Sequence, residues 1–178
     1  MNHLSLFTGY EGFGLGLKLA GIDIRTVGYI EIEPYCQEII KARIKDKVLD
    51  DAPIYPDISA FNGNDYRGLV DIITGGFPCQ PHSVAGHRQG EADSRNLWPD
   101  TRRLISQIQP EWVMLENVTG ILQPVGNRDR PAYGCTVLGD LASMGYNCRT
   151  GVVSAADAGA PHLRKRWWVM AHANRVGH

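Results

Sequence analysis

Cys79 is the residue best placed for covalent chemistry. It lies in the stretch Asp71-Ile72-Ile73-Thr74-Gly75-Gly76-Phe77-Pro78-Cys79-Gln80-Pro81-His82-Ser83, just past an apolar run that reads as a buried strand. Open α/β sheets build their sites at the carboxyl ends of their strands, and a thiol emerging there is a candidate nucleophile. The paired glycines permit a tight, exposed turn. Pro78 and Pro81 stiffen the backbone on both sides of the sulfur, which would hold it at a fixed distance from a target atom. A free structural cysteine in a tight turn is the alternative reading of the same residues.

A second stretch suits a ligand rather than a reaction. Leu4-Ser5-Leu6-Phe7 reads as a short buried strand, followed by Thr8-Gly9-Tyr10-Glu11-Gly12-Phe13-Gly14 and a helical run through Ala20. Glycines between a first strand and a first helix, here Gly9 and Gly12, let backbone approach a ligand closely. Glu31, closing a second strand from about Ile24 to Ile30, could accept hydrogen bonds from a ribose diol. The pattern is not a clean G-x-G-x-x-G, and a turn that merely joins strand to helix explains the glycines equally well. Asp57-Ile58, after Pro56, could offer an acceptor to an adenine amino group, or could be a surface turn.

These segments need a scaffold, and the rest of the chain supplies one. Tyr35 to Lys45 has helical spacing, with Ile39, Ile40 and Ile44 on one side. Apolar runs at Val70 to Thr74, Trp112 to Leu115, Cys148 to Val153 and Trp167 to Ala171 read as strands, and Asp100 to Gln109 as a helix. Strands alternating with helices predict an α/β fold: a doubly wound, mostly parallel sheet covered on both faces. Gly86 to Asp93 and Gln123 to Tyr133 read as surface loops. With 178 residues and 43% hydrophobic composition, one domain is expected. The adjacent Trp167 and Trp168 point to opposite faces of a strand, so at least one belongs to the core.

Composition narrows the partners. A net charge of −1 and a pI near 6.6 lack the overall basic footprint of a self-sufficient nucleic-acid binder. The four cysteines, Cys36, Cys79, Cys135 and Cys148, have neither zinc-ligand spacing nor the density of a disulfide scaffold, so no metal is expected. No apolar run approaches the roughly 20 residues that a membrane-spanning helix needs, and the start lacks the build of a signal peptide. A soluble, cytoplasmic protein is expected, with no membrane partner.

The run Gly76 to Ser83, Gly-Phe-Pro-Cys-Gln-Pro-His-Ser, resembles the nucleophile motif of the DNA (cytosine-5)-methyltransferases. Further motifs follow in family order. Phe7 to Phe13 resembles the first, Glu31 with Ile32 the ribose-binding position, and Asp57-Ile58 the adenine-contacting motif. Asp93-Ser94-Arg95-Asn96-Leu97, Glu116-Asn117-Val118 and Arg164-Lys165-Arg166 resemble later ones. The resemblance runs from Leu4 to about Met170. It has departures: Ser5 stands where the family usually has aspartate, Glu11 replaces a glycine of the first motif, and His162 replaces a glutamine. Glu11 is expected to put a side chain at a close-approach position of the cofactor loop.

The resemblance implies a Rossmann-like class I methyltransferase fold that uses S-adenosylmethionine, held by Phe7, Gly9, Gly12, Glu31, Ile32, Asp57, Ile58 and Pro78. It implies methyl transfer to carbon 5 of a cytosine flipped out of double-stranded DNA, in a phage or bacterial restriction-modification setting. Cys79 would add to carbon 6, a protonated Glu116 would serve ring nitrogen 3, Arg166 the base carbonyl, and Arg164 a phosphate or loop contact. Asn117 would brace the cysteine loop; Phe77 and Pro78 would shape the pocket wall, with Gln80, Ser83 and Val118 in support. The target-recognition region and last family motifs are expected to be missing. The rival reading is therefore a truncated or split-subunit module that needs a second chain, and a small-molecule methyltransferase on the same fold is a third.

Overall fold

The computed structural model describes residues 1–78, 96–124 and 131–174. Its strands are β1 (Asn2–Leu6), β2 (Arg25–Ile30), β3 (Ile54–Tyr55), β4 (Ile72–Gly75), β5 (Trp112–Val118), β6 (Tyr146–Ser154) and β7 (Lys165–Ala173). The α-helices are α1 (Gly12–Leu19), α2 (Pro34–Lys45), α3 (Trp98–Ile108) and α4 (Tyr133–Ser143). The sheet order is β3-β2-β1-β4-β5-β7-β6, with β1 parallel to β2 and β4, β2 parallel to β3, and an antiparallel β6–β7 pair, which bears out the α/β expectation with a mixed sheet. The chain divides into two compact units, Met1–Gly76 with Arg103–Val113 and Phe77–Arg102 with Met114–His178.

In the first unit β1 runs parallel to both β2 and β4. Leu6 lies opposite Ile30 on one side and Gly75 on the other, so three strands end level. Chain order reverses at β1, and open sheets place their binding crevices at such a switch point. The core here is built from Leu4, Leu6, Ile30, Ile72 and Ile73, with Tyr29, Ile40 and Leu49 packed to one side. Helix α2 begins on Pro34 and ends on Arg43 and Lys45, a proline where no amide is needed and cations where the helix dipole is negative. Helix α1 carries glycines at 12, 14 and 16, a poor helical sequence, and packs inward through Gly14 and Leu17.

In the second unit β6 and β7 form an antiparallel pair, with Val153 opposite Arg166 and Ser154 opposite Lys165. β7 alternates, burying Trp167, Val169 and Ala171 and leaving Trp168 only half-buried. Trp98 is buried, its indole Nε1 donates to Asp140 Oδ2 on α4 at 2.8 Å, and its ring lies 5.4 Å from that of Phe77. Asn96 Nδ2 donates to the Tyr133 hydroxyl at 2.7 Å.

Two elements escaped the sequence pattern. β3 has only two residues, too few for periodicity to register. α4 begins on Tyr133, where a loop was expected to end, and its sequence Tyr-Gly-Cys-Thr-Val-Leu-Gly-Asp carries two glycines and two β-branched residues that weaken the helical signal. β5 also runs on to Val118, so the Glu-Asn-Val segment lies within the strand and not after it.

Because Asp140 is the indole's acceptor and also lies 3.6 Å from Arg102 Nε, Asp140→Ala should cost about 1–3 kcal/mol. Asp140→Asn, which keeps an acceptor, should cost less. Urea unfolding followed by tryptophan fluorescence reads both, and equal losses would show that the indole bond is not the source.

Candidate functional site

The first unit gathers its candidate residues where β1 and β2 end. Glu31 is 8% exposed, and both its oxygens are held by backbone: Oε2 accepts from Gly9 N–H at 2.7 Å and Oε1 from Glu33 N–H at 2.8 Å. A carboxylate oxygen has lone pairs for more than one donor, so this fixed group can still receive a diol. Gly9 has φ +55, and a side chain built on Gly12 would meet nothing within 4 Å, so the loop leaves open space at its turn into α1. Phe7 is itself at φ +54 and Glu11 at φ +60, conformations that cost a non-glycine residue about 1 kcal/mol or more. Ile32 next to Glu31 is exposed.

Glu11 does not fill the close-approach position as expected. Its left-handed backbone turns the side chain inward, to 1% exposure, where Oε2 accepts from Ser5 Oγ at 2.5 Å. A Cβ placed on Gly14 would fall 2.2 Å from Oε1, so the carboxyl is tucked against that glycine's backbone. His3, fully buried, has Nε2 2.8 Å from Thr74 Oγ1 and Nδ1 3.0 Å from Thr26 Oγ1 and 3.5 Å from Glu11 Oε1. Burial pushes Glu11 up to about 7, against the Ser5 hydroxyl, and brings His3 down to about 4. Sequence reading missed His3 and the Ser5–Glu11 bond, because neither follows from spacing.

Asp57 and Ile58 follow β3 and are held from α3. Asp57 Oδ1 accepts from both the amide and the hydroxyl of Ser59, which keeps its carboxyl below the usual carboxylate range. Arg103 donates to the carbonyls of Ile58 at 2.6 Å and Phe61 at 2.9 Å, and Gln107 Oε1 accepts from Gly63 N–H at 3.0 Å. One face of α3 thus clamps the loop that carries both candidates. The polar spacing Arg103 to Gln107, four residues apart on a helix, was the available signal.

The second unit gathers the rest around β5 and β7. Side chains alternate along β5, so Asn117 is buried at 3% exposure while Glu116 and Val118 are half-buried on the other face. Asn117 Nδ2 donates to the Phe77 carbonyl at 2.8 Å, two residues before Cys79, and its Oδ1 accepts from Val118 N–H at 2.8 Å. Glu116 Oε1 lies 2.6 Å from Arg166 Nε, both groups 21% exposed. Burial raises the Glu116 carboxyl above its ordinary value, while Arg166 and Arg164 oppose the rise. Arg164 is exposed just before β7, Phe77 is buried and Pro78 half-buried. Cys79, Gln80 and Ser83 lie outside the described residues, as do Asp93, Ser94 and Arg95. Among the described residues no cluster could hold a metal ion, and no helix is long and apolar enough to cross a membrane.

Comparison with known proteins identifies the family of the chain. The family model of the C-5 cytosine-specific DNA methylases matches residues 1–177. The chain is 36% identical over 172 residues to the Type II methyltransferase M.NgoMIV of Neisseria gonorrhoeae, covering 96% of this chain and 51% of that one. It is 32% identical over 169 residues to M.CviJI of Paramecium bursaria Chlorella virus IL3A, covering 94% of this chain and 42% of the relative. The fold matches that of the S. pombe Dnmt2 methyltransferase, with a TM-score of 0.76 and 24% identity over 100% of this chain and 52% of the other. The chain thus spans about half the length of these relatives.

The buried pair makes a prediction about pH. Glu11 is raised from 4.5 to about 7, so it contributes stability that is full below pH 4.5 and is lost as pH rises through 7. His3 is depressed from 6.5 to about 4, so its contribution is full above pH 6.5 and is lost as pH falls through 4. Between pH 4.5 and 6.5 the two oppose, each worth on the order of a few kcal/mol. Glu11→Gln should therefore gain stability as pH rises across that window, and His3→Gln should lose it. Thermal unfolding across the window distinguishes them, and parallel curves for both variants would contradict the assignment.

Proposed function

The chain belongs to the C-5 cytosine-specific DNA methylase family, and on that premise we propose that it transfers a methyl group from S-adenosylmethionine to carbon 5 of a cytosine in double-stranded DNA. The observation that supports this best is the half-buried Glu116–Arg166 pair, next along β5 to the Asn117 amide that holds the backbone leading into Cys79. The Type II character of the relatives supports a restriction-modification setting in the cytoplasm of a bacterial or phage-infected cell.

The residues of the first unit fit the cofactor. The Glu31 carboxylate, fixed by two amides, is placed for a ribose diol, with Ile32 exposed beside it for the base. Gly9 and the open space at Gly12 suit a loop that packs closely on a ligand, with Phe7 at its start. Asp57 and Ile58, clamped from α3, suit the adenine. When bound, S-adenosylmethionine supplies an electrophilic methyl group.

Cytosine carbon 5 is too poor a nucleophile to take that methyl unaided. In the proposed mechanism the Cys79 thiolate adds to carbon 6, and the displaced electron pair moves toward ring nitrogen 3, where Glu116 gives its proton. The Glu116–Arg166 pair suggests how that proton comes to be there. In the free protein burial already raises the Glu116 carboxyl and Arg166 opposes the rise; when Arg166 turns to the base's carbonyl oxygen, that opposition weakens and Glu116 takes up a proton more readily. Arg164, exposed, meets the DNA backbone. Phe77 and Pro78 wall the pocket and Gln80, Ser83 and Val118 support it. Carbon 5, now electron-rich, would accept the methyl group; the proton on nitrogen 3 returns to Glu116, and loss of the carbon 5 proton to a base or water with expulsion of the Cys79 thiolate restores the ring.

The coverage of about half of each relative favours a second reading in which sequence recognition comes from a further segment or chain, and the unit studied alone binds cofactor and DNA without turnover. The discriminating experiment is tritium transfer from labelled S-adenosylmethionine to mixed-sequence duplex DNA, with cofactor binding measured separately by calorimetry. Labelling that Cys79→Ser abolishes supports the enzyme. Cofactor binding without labelling supports the second reading, and neither signal removes both. In an active assembly, Glu116→Gln should lower the rate by on the order of 10²-fold. Arg103→Ala, which frees the Asp57 loop, should weaken cofactor binding about tenfold with Cys79 chemistry otherwise intact.

A further inference from the structure

We propose that the buried Ser5–Glu11 pair is a proton-dependent latch on the glycine loop, which the neutral Glu11 carboxyl keeps closed on β1 and its ionisation releases, so that cofactor binding takes up a proton. The proposal rests on the cofactor reading above for its ligand, and on the following geometry for its mechanism.

The loop from Thr8 to Gly14 is attached to the sheet at several points. Thr8 N–H donates to the Ile30 carbonyl at 3.2 Å and Gly9 N–H to Glu31 at 2.7 Å, while Glu11 N–H donates to the Thr8 carbonyl at 2.8 Å. The Ser5–Glu11 bond ties Glu11, at φ +60, to β1, where Thr8 Oγ1 also donates to the Ser5 carbonyl at 3.2 Å. The carboxyl's two oxygens differ. Oε2 has the Ser5 hydroxyl as donor; Oε1, buried beside Gly14 and facing His3 Nδ1 at 3.5 Å, makes no well-formed hydrogen bond among the described residues, and the Gly14 amide favours the anion least of the groups around it. A proton therefore belongs on Oε1, where it removes a charge that is only weakly compensated.

The charged and titratable groups around this carboxyl offset its burial only in part: Lys18 favours the anion and Asp50 opposes it. His3 on β1 is kept neutral by its own burial. Lys18 on α1 is engaged with Asp50, 2.7 Å away, and Asp50, which follows α2, adds a negative charge to the neighbourhood. Tyr29 on β2 is held as a neutral phenol, its hydroxyl donating to the Asp50 carbonyl at 2.9 Å. Once ionised, Glu11 gains most by meeting water. It can do so only if the loop lifts from β1 and α1 starts later, which removes the surface on which Gly9 and Gly12 would meet a ligand. Ionisation near neutrality follows from the burial already described. By linkage, a cofactor that needs the closed loop raises the affinity of Glu11 for its proton, and the proton raises the affinity for the cofactor.

The test uses the full chain and two readouts. The first is amide hydrogen exchange of residues 8–14 without cofactor, corrected for intrinsic pH dependence, from pH 5.5 to 8.5. The second is the S-adenosylmethionine Kd over the same range. In the natural sequence, exchange should quicken and Kd should rise as pH passes through neutrality, by up to about tenfold per unit above it. Glu11→Gln, which keeps an acceptor for Ser5 and cannot ionise, should be flat in both. Ser5→Ala should exchange faster at every pH while retaining the pH dependence, and it keeps the test open if the glutamine variant does not fold. Exchange that ignores pH in the natural sequence, or that changes alike in Glu11→Gln, overturns the latch. A chain whose loop exchange depends on Glu11 but which binds no cofactor at any pH overturns the coupling and the cofactor reading, and leaves the loop mechanism standing.

Discussion

The first unit depends on the register of β1. Leu6 faces Ile30 across one ladder and Gly75 across the other, so the chain leaves three parallel strands at one level. Apart from the Asp57 loop held by α3, what the unit offers a ligand follows from that level edge: the loop after Leu6, Glu31 after Ile30, and the backbone after Gly75. Both faces of β1 are buried, and a slip of one residue would put His3 and Ser5 where Leu4 and Leu6 pack and the leucines where the polar pair finds its partners, so the register is strongly fixed. The bulge between His3 and Leu4 adjusts the pairing with β2 just where His3 meets Thr26.

The second unit solves a different problem, holding a carboxyl and an amide from adjacent residues for opposite purposes. Alternation along β5 sends Asn117 inward, where its amide satisfies the Phe77 carbonyl, and Glu116 outward to Arg166. A helix would have placed neighbouring residues about 100° apart and could not have separated the buried tie from the accessible pair so fully. The antiparallel β6–β7 pair brings Arg166 to that position, one residue before the buried Trp167 that anchors the strand.

The sheet, its strand sequence and the helices α1, α2 and α3 were legible because each carries a clear period and turn residues at its ends. β3 was too short, and α4 too rich in glycine and β-branched residues, for pattern to reveal them. Glu31 was legible as a candidate from its place at the end of a strand, whereas Glu116, which lies within β5, entered only through the family resemblance. Arg103, Gln107 and His3 were not legible, because their partners lie more than twenty residues away; the spacing of Arg103 and Gln107 marks a shared helix face but not what that face holds. The inward turn of Glu11 was unreadable for a related reason: it depends on a backbone dihedral, and a glutamate at positive φ is not what spacing suggests.

Ser5 and Glu11 bear on how such a chain changes over generations. By resemblance, the family usually carries its acid at the strand position and a glycine in the loop; here the acid has moved to the loop and the strand holds a hydroxyl. Taken column by column these are two unfavourable exchanges, yet in space they are one, since the two side chains share a hydrogen bond. An ancestor with acids at both positions would have crowded two carboxyls into one dry pocket, and one with neither would have left a void against Gly14. The two substitutions are therefore expected to travel together in descent. A chain that inherits one without the other should be rare for reasons of folding alone, whatever becomes of its activity.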